Sequence, residues 1–503
     1  MTEPQSTLEQ LARGQQIIVL ANREPYSHER DADGSIVLRH AASGLVHAVE
    51  PLLAHCGGVW VAHGSGSADR AVVDEASGVA VPPEKPAYRL RRVWLDEQEY
   101  AGYYYGFASE ALWPLCHRAF IKPVFRPSDL DAYWTANARF VDAVVDEALD
   151  DTPIVLVQDY HFALAPAMIR AQLPASRVST FWHAPWPDWQ TLRLCPWRSQ
   201  LLDGLLGSCI VGFQTVVDRD NFADCVAQTL KAPVDREQMT VSYSGRRVSL
   251  RVYPASIPWT VSLDAPPQAE CRRAVIHTLA LDDRIRIAVG VDQLDFTKGI
   301  EEKFLAVEHL LTEFPDFRNR FVLVQLAEPG RPALQGDVDL RQRVRAAAAR
   351  VNERFGAPEY TPIVLLEGHH AQSQVTQYLR AADVCYVGSL HDGMNLVGKE
   401  FARARTDGDG VLVISTFAGA ARELDGAVIV NPLDPAGAAG ALTVALQMDE
   451  QERRARMRRM RRAVAGNDAH RWAAAVLGDA VQANPVQTMM PLRTAYNTTS
   501  AVL

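Results

Sequence analysis

Residues 389–405, Ser-Leu-His-Asp-Gly-Met-Asn-Leu-Val-Gly-Lys-Glu-Phe-Ala-Arg-Ala-Arg, concentrate the groups best suited to chemistry in this chain. They follow a short β-branched and aromatic run at 384–387, pass through an Asp392-Gly393 turn and become helix-competent near Asn395. A strand, a tight loop and a helix in that order point loop N–H groups and the positive end of a helix dipole at one place. That suits a phosphate or a row of sugar hydroxyls. Asp392 can accept hydrogen bonds from hydroxyls, and Glu400, about two helical turns further on, can take a vicinal diol. A lone Asp-Gly turn would be only a capped connection.

A second segment, Asp292-Gln293-Leu294-Asp295-Phe296-Thr297-Lys298-Gly299, also lies between a strand-like run and a helix-like one. Lys298 at the helix start can place an ammonium on a diphosphate, with backbone amides as further donors. Taken alone it reads equally well as a surface lysine. Arg23 ends a first apolar run at 16–20, the edge of an open α/β sheet at which ligands gather.

These groups need a scaffold, and the alternation of apolar runs supplies one. Strand-like runs at 59–62, 154–158, 178–183 and 209–213 are separated by helix-period stretches such as 132–149. After a proline-containing stretch at 263–270 the alternation restarts, with strands at 285–291, 321–326, 363–366, 384–387, 411–415 and 427–430. Strands alternating with helices predict parallel βαβ units. With 503 residues the chain is too long for one core. Two Rossmann-like domains are expected, at 16–262 and 263–480, with 1–15 and 484–503 poorly ordered.

A net charge of −9 argues against a general nucleic-acid or anionic-membrane role. The basic run 453–462 is the exception, and Met457, Met460 and Val464 recur through it at helical spacing, as in an amphipathic helix with a solvated arginine face. Seven scattered cysteines without Cys-x-x-Cys spacing read as reduced thiols of a cytoplasmic protein. No apolar run reaches bilayer length, and residues 1–15 lack the apolar core of a signal peptide. No His, Asp and Cys cluster has metal-ligand spacing, so no cofactor is expected.

The string Asp392-Gly393-Met394-Asn395-Leu396-Val397, with Lys399-Glu400 after it, closely resembles the donor-binding loop of the trehalose-6-phosphate synthases, which are retaining glycosyltransferases of the two-domain GT-B fold. The resemblance runs from about Ile17 to about Ala480 and implies glucose transfer from UDP-glucose to glucose 6-phosphate, giving α,α-trehalose 6-phosphate. In the family, retention is explained by front-face attack, with the leaving phosphate helping to take the acceptor's proton, so no protein nucleophile is implied. The resemblance places Lys298 and Gln293 at the diphosphate, Asp392 with Gly393 to Val397 at the donor sugar and phosphates, Glu400 at the ribose, and His370 near the nucleobase. Gly44 falls in a donor-contacting Gly-Gly pair. His183, in Trp182-His183-Ala184-Pro185-Trp186-Pro187, falls beside the donor sugar. Arg23, Tyr104, Trp113 and Arg331 would hold the acceptor, with Asp159 on its hydroxyls and the two arginines forming a clamp that suits a phosphate dianion.

Several positions depart from the family pattern. Gln293 stands where an arginine is expected, Ser43 for a glycine, His63 for a tryptophan, His370 for an aromatic residue and His391 for an arginine. Charge grows on the leaving diphosphate as the sugar departs, and a neutral amide lacks the charge assistance of a guanidinium. Three alternatives therefore stay open: another phosphorylated acceptor such as glycerol 3-phosphate, a pseudo-glycosyltransferase, and a catalytically weak protein that binds nucleotide sugars or sugar phosphates. The donor base and a homo-oligomeric state are open as well.

Overall fold

The computed structural model describes residues 3–41, 44–259, 266–331 and 333–484. A ten-stranded sheet organises the first half, in the spatial order Val234–Asp235, Thr240–Tyr243, Arg246–Val252, Ile210–Phe213, Arg177–Trp182, Ile154–Gln158, Ile17–Leu20, Val59–His63, Tyr88–Val93, Gly78–Val81. Its central strands pair in parallel, and antiparallel partners occur only at the two edges. The second sheet has six strands, all parallel, in the order Ile363–Glu367, Phe321–Glu328, Arg286–Gln293, Val384–Val387, Val411–Ser415, Val428–Val430. The central strands Ile17–Leu20, Ile154–Gln158 and Val384–Val387 are buried at every residue. That is what continuous Ile, Val and Leu runs do when helices cover both faces of a parallel sheet. The result is two Rossmann-like units of the GT-B kind.

Residues 3–12, expected to be poorly ordered, instead form the helix Glu3–Ala12. Its polar composition hides a narrow apolar stripe: Leu8 and Ala12 are buried in the same cluster as Leu52, Leu53, Val476 and Leu477. Residues 485–503 lie outside those described. Other differences are local. The polar turn at 30–34 links two antiparallel strands, Tyr26–Arg30 and Ile36–His40. The tyrosine-rich stretch Ala101–Leu112 is a π-helix, a wider turn than sequence periodicity anticipates, and such stretches are frequent at functional sites.

The linear division at 262/263 does not follow the packing to its end. The last described helix, Ala469–Gln482, lies against the first sheet, where Trp472, Ala473, Val476 and Leu477 join Ile17, Val19 and Phe181 in one core. Trp472 meets the Phe181 ring edge-on at 5.2 Å and donates its indole N–H to the Tyr253 carbonyl at 3.1 Å. Truncating it to alanine should therefore leave a void under the first sheet. Trp472→Ala is expected to lower unfolding free energy by about 3–5 kcal/mol in a denaturant titration; a loss under about 1 kcal/mol would mean the helix is not an integral part of that core.

Candidate active site

Strand C-terminal ends of both sheets open onto one cavity of about 460 Å³. Arg23, Tyr104, Trp113, Asp159 and His183 reach it from the first sheet's side. Gln293, Lys298, Arg331, His370, Asp392, Gly393, Met394, Asn395, Leu396, Val397 and Glu400 reach it from the second. Gly44 opens the helix Gly44–Cys56, and its neighbour Leu45 lines the cavity. Ser43 lies outside the described residues.

The second domain's side is built on two strand-to-helix loops. Gly299 has φ +60° and a Cβ there would fall 2.1 Å from the Gly388 carbonyl oxygen, so only glycine lets the two loops touch. Lys298, the residue before it, donates from Nζ to Asp392 Oδ2 at 2.7 Å. Burial disfavours the charge on each. The Asp392 carboxylate nonetheless leaves the Lys298 pKa above its usual value, and Lys298 in turn holds Asp392 below its own. Asn395 adopts φ +71° and caps the helix Leu396–Ala404 by accepting from Gly398 N at 3.4 Å, while its amide donates to Asp392 Oδ2 at 3.2 Å. The free N–H groups of that helix start are thus turned to the cavity beside an ammonium, an electropositive corner fit for a diphosphate. Glu400 lies half-buried further along the helix, and its loss of solvation raises its pKa.

Facing this corner, the first domain presents Asp159 and His183. Asp159 sits at φ +70°, a conformation that only specific contacts hold in a non-glycine residue. The contacts are there: its Oδ1 accepts from the backbone N–H of His183 at 3.0 Å and of Ala184 at 3.3 Å. So the carboxylate ties two strand ends together rather than capping the helix after it. Burial raises its pKa to about 6, against the pull of the backbone donors. His183 Nε2 lies 3.0 Å from Gln158 Oε1, and burial lowers its pKa to about 3, so the ring is neutral. The domains approach closely here, because a Cβ on Gly393 would stand 2.2 Å from the His183 carbonyl oxygen.

The end of the cavity lined by Arg23 and Arg331 shows an asymmetry between the two arginines. Arg331 is held by Asp295 and by Asp337, at 3.1 Å from Nε, with its guanidinium 5.8 Å from the Trp113 ring centre. Trp113 donates its indole N–H to the same Asp295 at 3.2 Å, linking the domains. Arg23 has no ion-pair partner among the described residues. Beside it the rings of His63, Tyr100, Tyr104 and His161 stack in a column, at 4.6, 5.0 and 5.7 Å between successive centroids.

Sequence reasoning missed Asp295 and His161. His161 lines the cavity with a buried Nε2 that has no hydrogen-bond partner, and burial with the charges of Arg23 and Arg331 lowers its pKa to about 3. Asp295 is the common acceptor of Arg331, Trp113 and Thr297. An aspartate five residues after a strand's middle carries no signal of that convergence. The Asp159-Tyr160-His161 order does carry one for His161, a histidine two residues past a strand-end aspartate.

Of the departures, Gln293 and His370 line the cavity. His370 uses Nε2 on the Leu366 carbonyl at 3.1 Å. His391 lies behind the loop in a smaller cavity of about 140 Å³, where its Nδ1 accepts from Arg118 N at 3.1 Å. His63 does not reach the wall; it stands at the foot of the ring column. Among the described residues no group of three His, Cys, Asp or Glu side chains is placed to hold a metal ion, and no helix is long and apolar enough to cross a membrane.

The model of glycosyltransferase family 20 matches residues 15–482. The trehalose-6-phosphate synthase of Mycolicibacterium vanbaalenii is 34% identical over 493 residues, covering 96% of this chain and 99% of that protein. The Mycobacterium avium trehalose-6-phosphate synthase is also 34% identical, over 93% of this chain and 96% of its own. Among solved structures, the UDP-forming α,α-trehalose-phosphate synthase of Burkholderia xenovorans in complex with glucose-6-phosphate superposes with a TM-score of 0.81 at 31% identity, over 92% of this chain and 99% of that one. The Escherichia coli trehalose-6-phosphate structure bound with UDP-2-fluoro glucose gives 0.82 at 29% identity, over 93% and 99%. With its whole length from the first strand to the last described helix accounted for in this way, the chain belongs to glycosyltransferase family 20.

Proposed function

We propose that the protein is a retaining glucosyltransferase that moves glucose from UDP-glucose to glucose 6-phosphate, forming α,α-trehalose 6-phosphate and UDP. The observation that carries this reading is the single cavity with an electropositive corner at Lys298 and the start of helix Leu396–Ala404, and a second cationic end at Arg23 and Arg331. Two phosphate-bearing sugars fit those ends with a neutral histidine and a carboxylate between them. On this reading the donor diphosphate draws Lys298 away from Asp392, and the released carboxylate accepts hydroxyls of the donor sugar. His183, neutral and steadied by Gln158, offers its ring to a donor hydroxyl. Glu400 takes the ribose. Arg23 and Arg331 hold the acceptor phosphate, with Tyr104 and Trp113 as walls and Asp159 on its sugar hydroxyls.

The leaving diphosphate gains charge in the transition state, so Lys298 and the helix dipole act mainly there. Lys298→Ala should lower kcat by about 10²–10³. Gln293 contributes an amide where a guanidinium would contribute charge, and charge-assisted hydrogen bonds are roughly twice as strong as neutral ones. UDP release from UDP-glucose, followed with glucose 6-phosphate, with glycerol 3-phosphate and with no acceptor, tests the whole reading. Release that depends on glucose 6-phosphate, with trehalose 6-phosphate identified by mass spectrometry, is expected. Turnover with glycerol 3-phosphate alone would overturn the acceptor. A silent wild type beside an active Gln293→Arg variant would make the natural chain a binding protein; in an active wild type, the same variant should raise kcat about tenfold.

The pH profile has a definite sign. The hydroxyl-accepting form of Asp159 is the carboxylate, and its pKa of about 6 means that this form is lost as pH falls through that value. His117, His161 and His183, at about 3, and His391, at about 4, do not titrate there. The kcat/KM for glucose 6-phosphate, which reports the free enzyme and the free substrate, should fall with two protons below about pH 6, one on Asp159 and one on the substrate's phosphate dianion, and with only the second in Asp159→Asn. A limb centred above about pH 7 would contradict this assignment.

A further inference from the structure

A second cationic depression, of about 520 Å³, lies away from the cleft, between the helix Glu450–Gly466, Trp259 and the turn at 406–408. Arg454, Arg458, Arg461 and Arg462 line it. The helix holds seven arginines between 450 and 466, and most are neutralised. Arg453 pairs with Asp409, Arg454 with Glu450, Arg456 with Glu452 and Arg459 with Asp425. Among the described residues Arg458 and Arg462 have no carboxylate or carbonyl partner, and both face the depression. With Arg454 they stand one turn apart in a column, a spacing at which like charges repel. The aspartate in the wall does not relieve them, since both oxygens of Asp407 are taken by Arg405, at 3.0 and 2.8 Å.

The floor of the depression is rigid. Arg461 donates from Nη1 to the carbonyls of Ala402, Arg403 and Arg405 at 2.8, 3.1 and 3.1 Å, with its guanidinium 5.0 Å from the Trp259 ring centre. Those carbonyls end the helix that begins at the donor loop, so the depression sits at the far end of an element about 13 Å long whose start faces the cleft. Two unpaired guanidiniums over a fixed floor match a ligand with two or more clustered negative oxygens, and the arginine fork suits phosphate. The chain's net charge of −9 leaves this as a local positive site on an acidic protein, which favours a compact anion over an extended polyanion or a membrane surface.

We propose that this depression is a second anion site, which binds a small phosphate-bearing molecule between Arg458 and Arg462 and is separate from the substrate cleft. The test is calorimetric titration of the full chain with inorganic pyrophosphate at ionic strength matched with chloride, in an Arg23→Ala/Lys298→Ala background that weakens phosphate binding in the cleft without filling the depression. Saturable binding is expected in that background, weakened at least about tenfold when the Arg458→Gln/Arg462→Gln double variant is combined with it; alone, the double variant leaves glucosyl transfer without pyrophosphate unchanged. No saturable binding in that background, or equal binding with the double variant added, would overturn the proposal. So would a double variant that loses binding to phosphatidylserine vesicles while pyrophosphate binding persists, because the face would then serve a membrane. None of these outcomes bears on the reaction in the cleft, which is assayed by UDP release.

Discussion

The half-buried pair of Lys298 and Asp392 is the interaction on which the arrangement of the cleft depends. Taking either charge out of water alone would be costly, and each is tolerable only because the other lies 2.7 Å away. The pair joins two loops from different βα units, and Asn395 extends it to the start of the helix Leu396–Ala404. A phosphate competing for Lys298 therefore alters the partner of Asp392 at the same moment. On the proposed reading, coupling of that kind lets a leaving group and a sugar hydroxyl be sensed by one small network.

The opposite wall is held by backbone contacts. Asp159 binds two main-chain N–H groups from the neighbouring strand end, and the missing Cβ of Gly393 admits the His183 carbonyl. Both are contacts of strand ends, where a parallel sheet leaves main-chain groups unpaired. The site is thus assembled from the C-terminal edges of two sheets, with Asp159 and His183 one residue past their strands and Lys298 and Asp392 five residues past theirs.

That placement explains what could be read from the chain and what could not. Loops such as 292–299 and 389–397 carry their chemistry within a few residues of a strand, so residue type and local order identify them, and the continuous apolar runs before them identify the sheets. Asp295, His161 and the column of rings below Tyr104 depend on segments far apart in sequence. Their functions arise from packing, which periodicity does not encode. The helix Glu3–Ala12 was missed for a related reason: two buried residues on a polar segment become a stripe only when the returning helix Ala469–Gln482 covers them. Arg23 and Arg331 look alike in sequence, yet among the described residues the first has no ion-pair partner and the second is gripped by two carboxylates.

The return of that last helix has a mechanical consequence. The chain passes between the two halves twice, near 257 and near 469, and the two passages touch, with Ala469 N donating to the Ile257 carbonyl at 3.0 Å. A single tether would let one half swivel in any direction relative to the other. Two adjacent strands of backbone behave instead like a door with its pins side by side: twisting is resisted, and the motion that stays cheap is a swing that opens and shuts the gap along one arc.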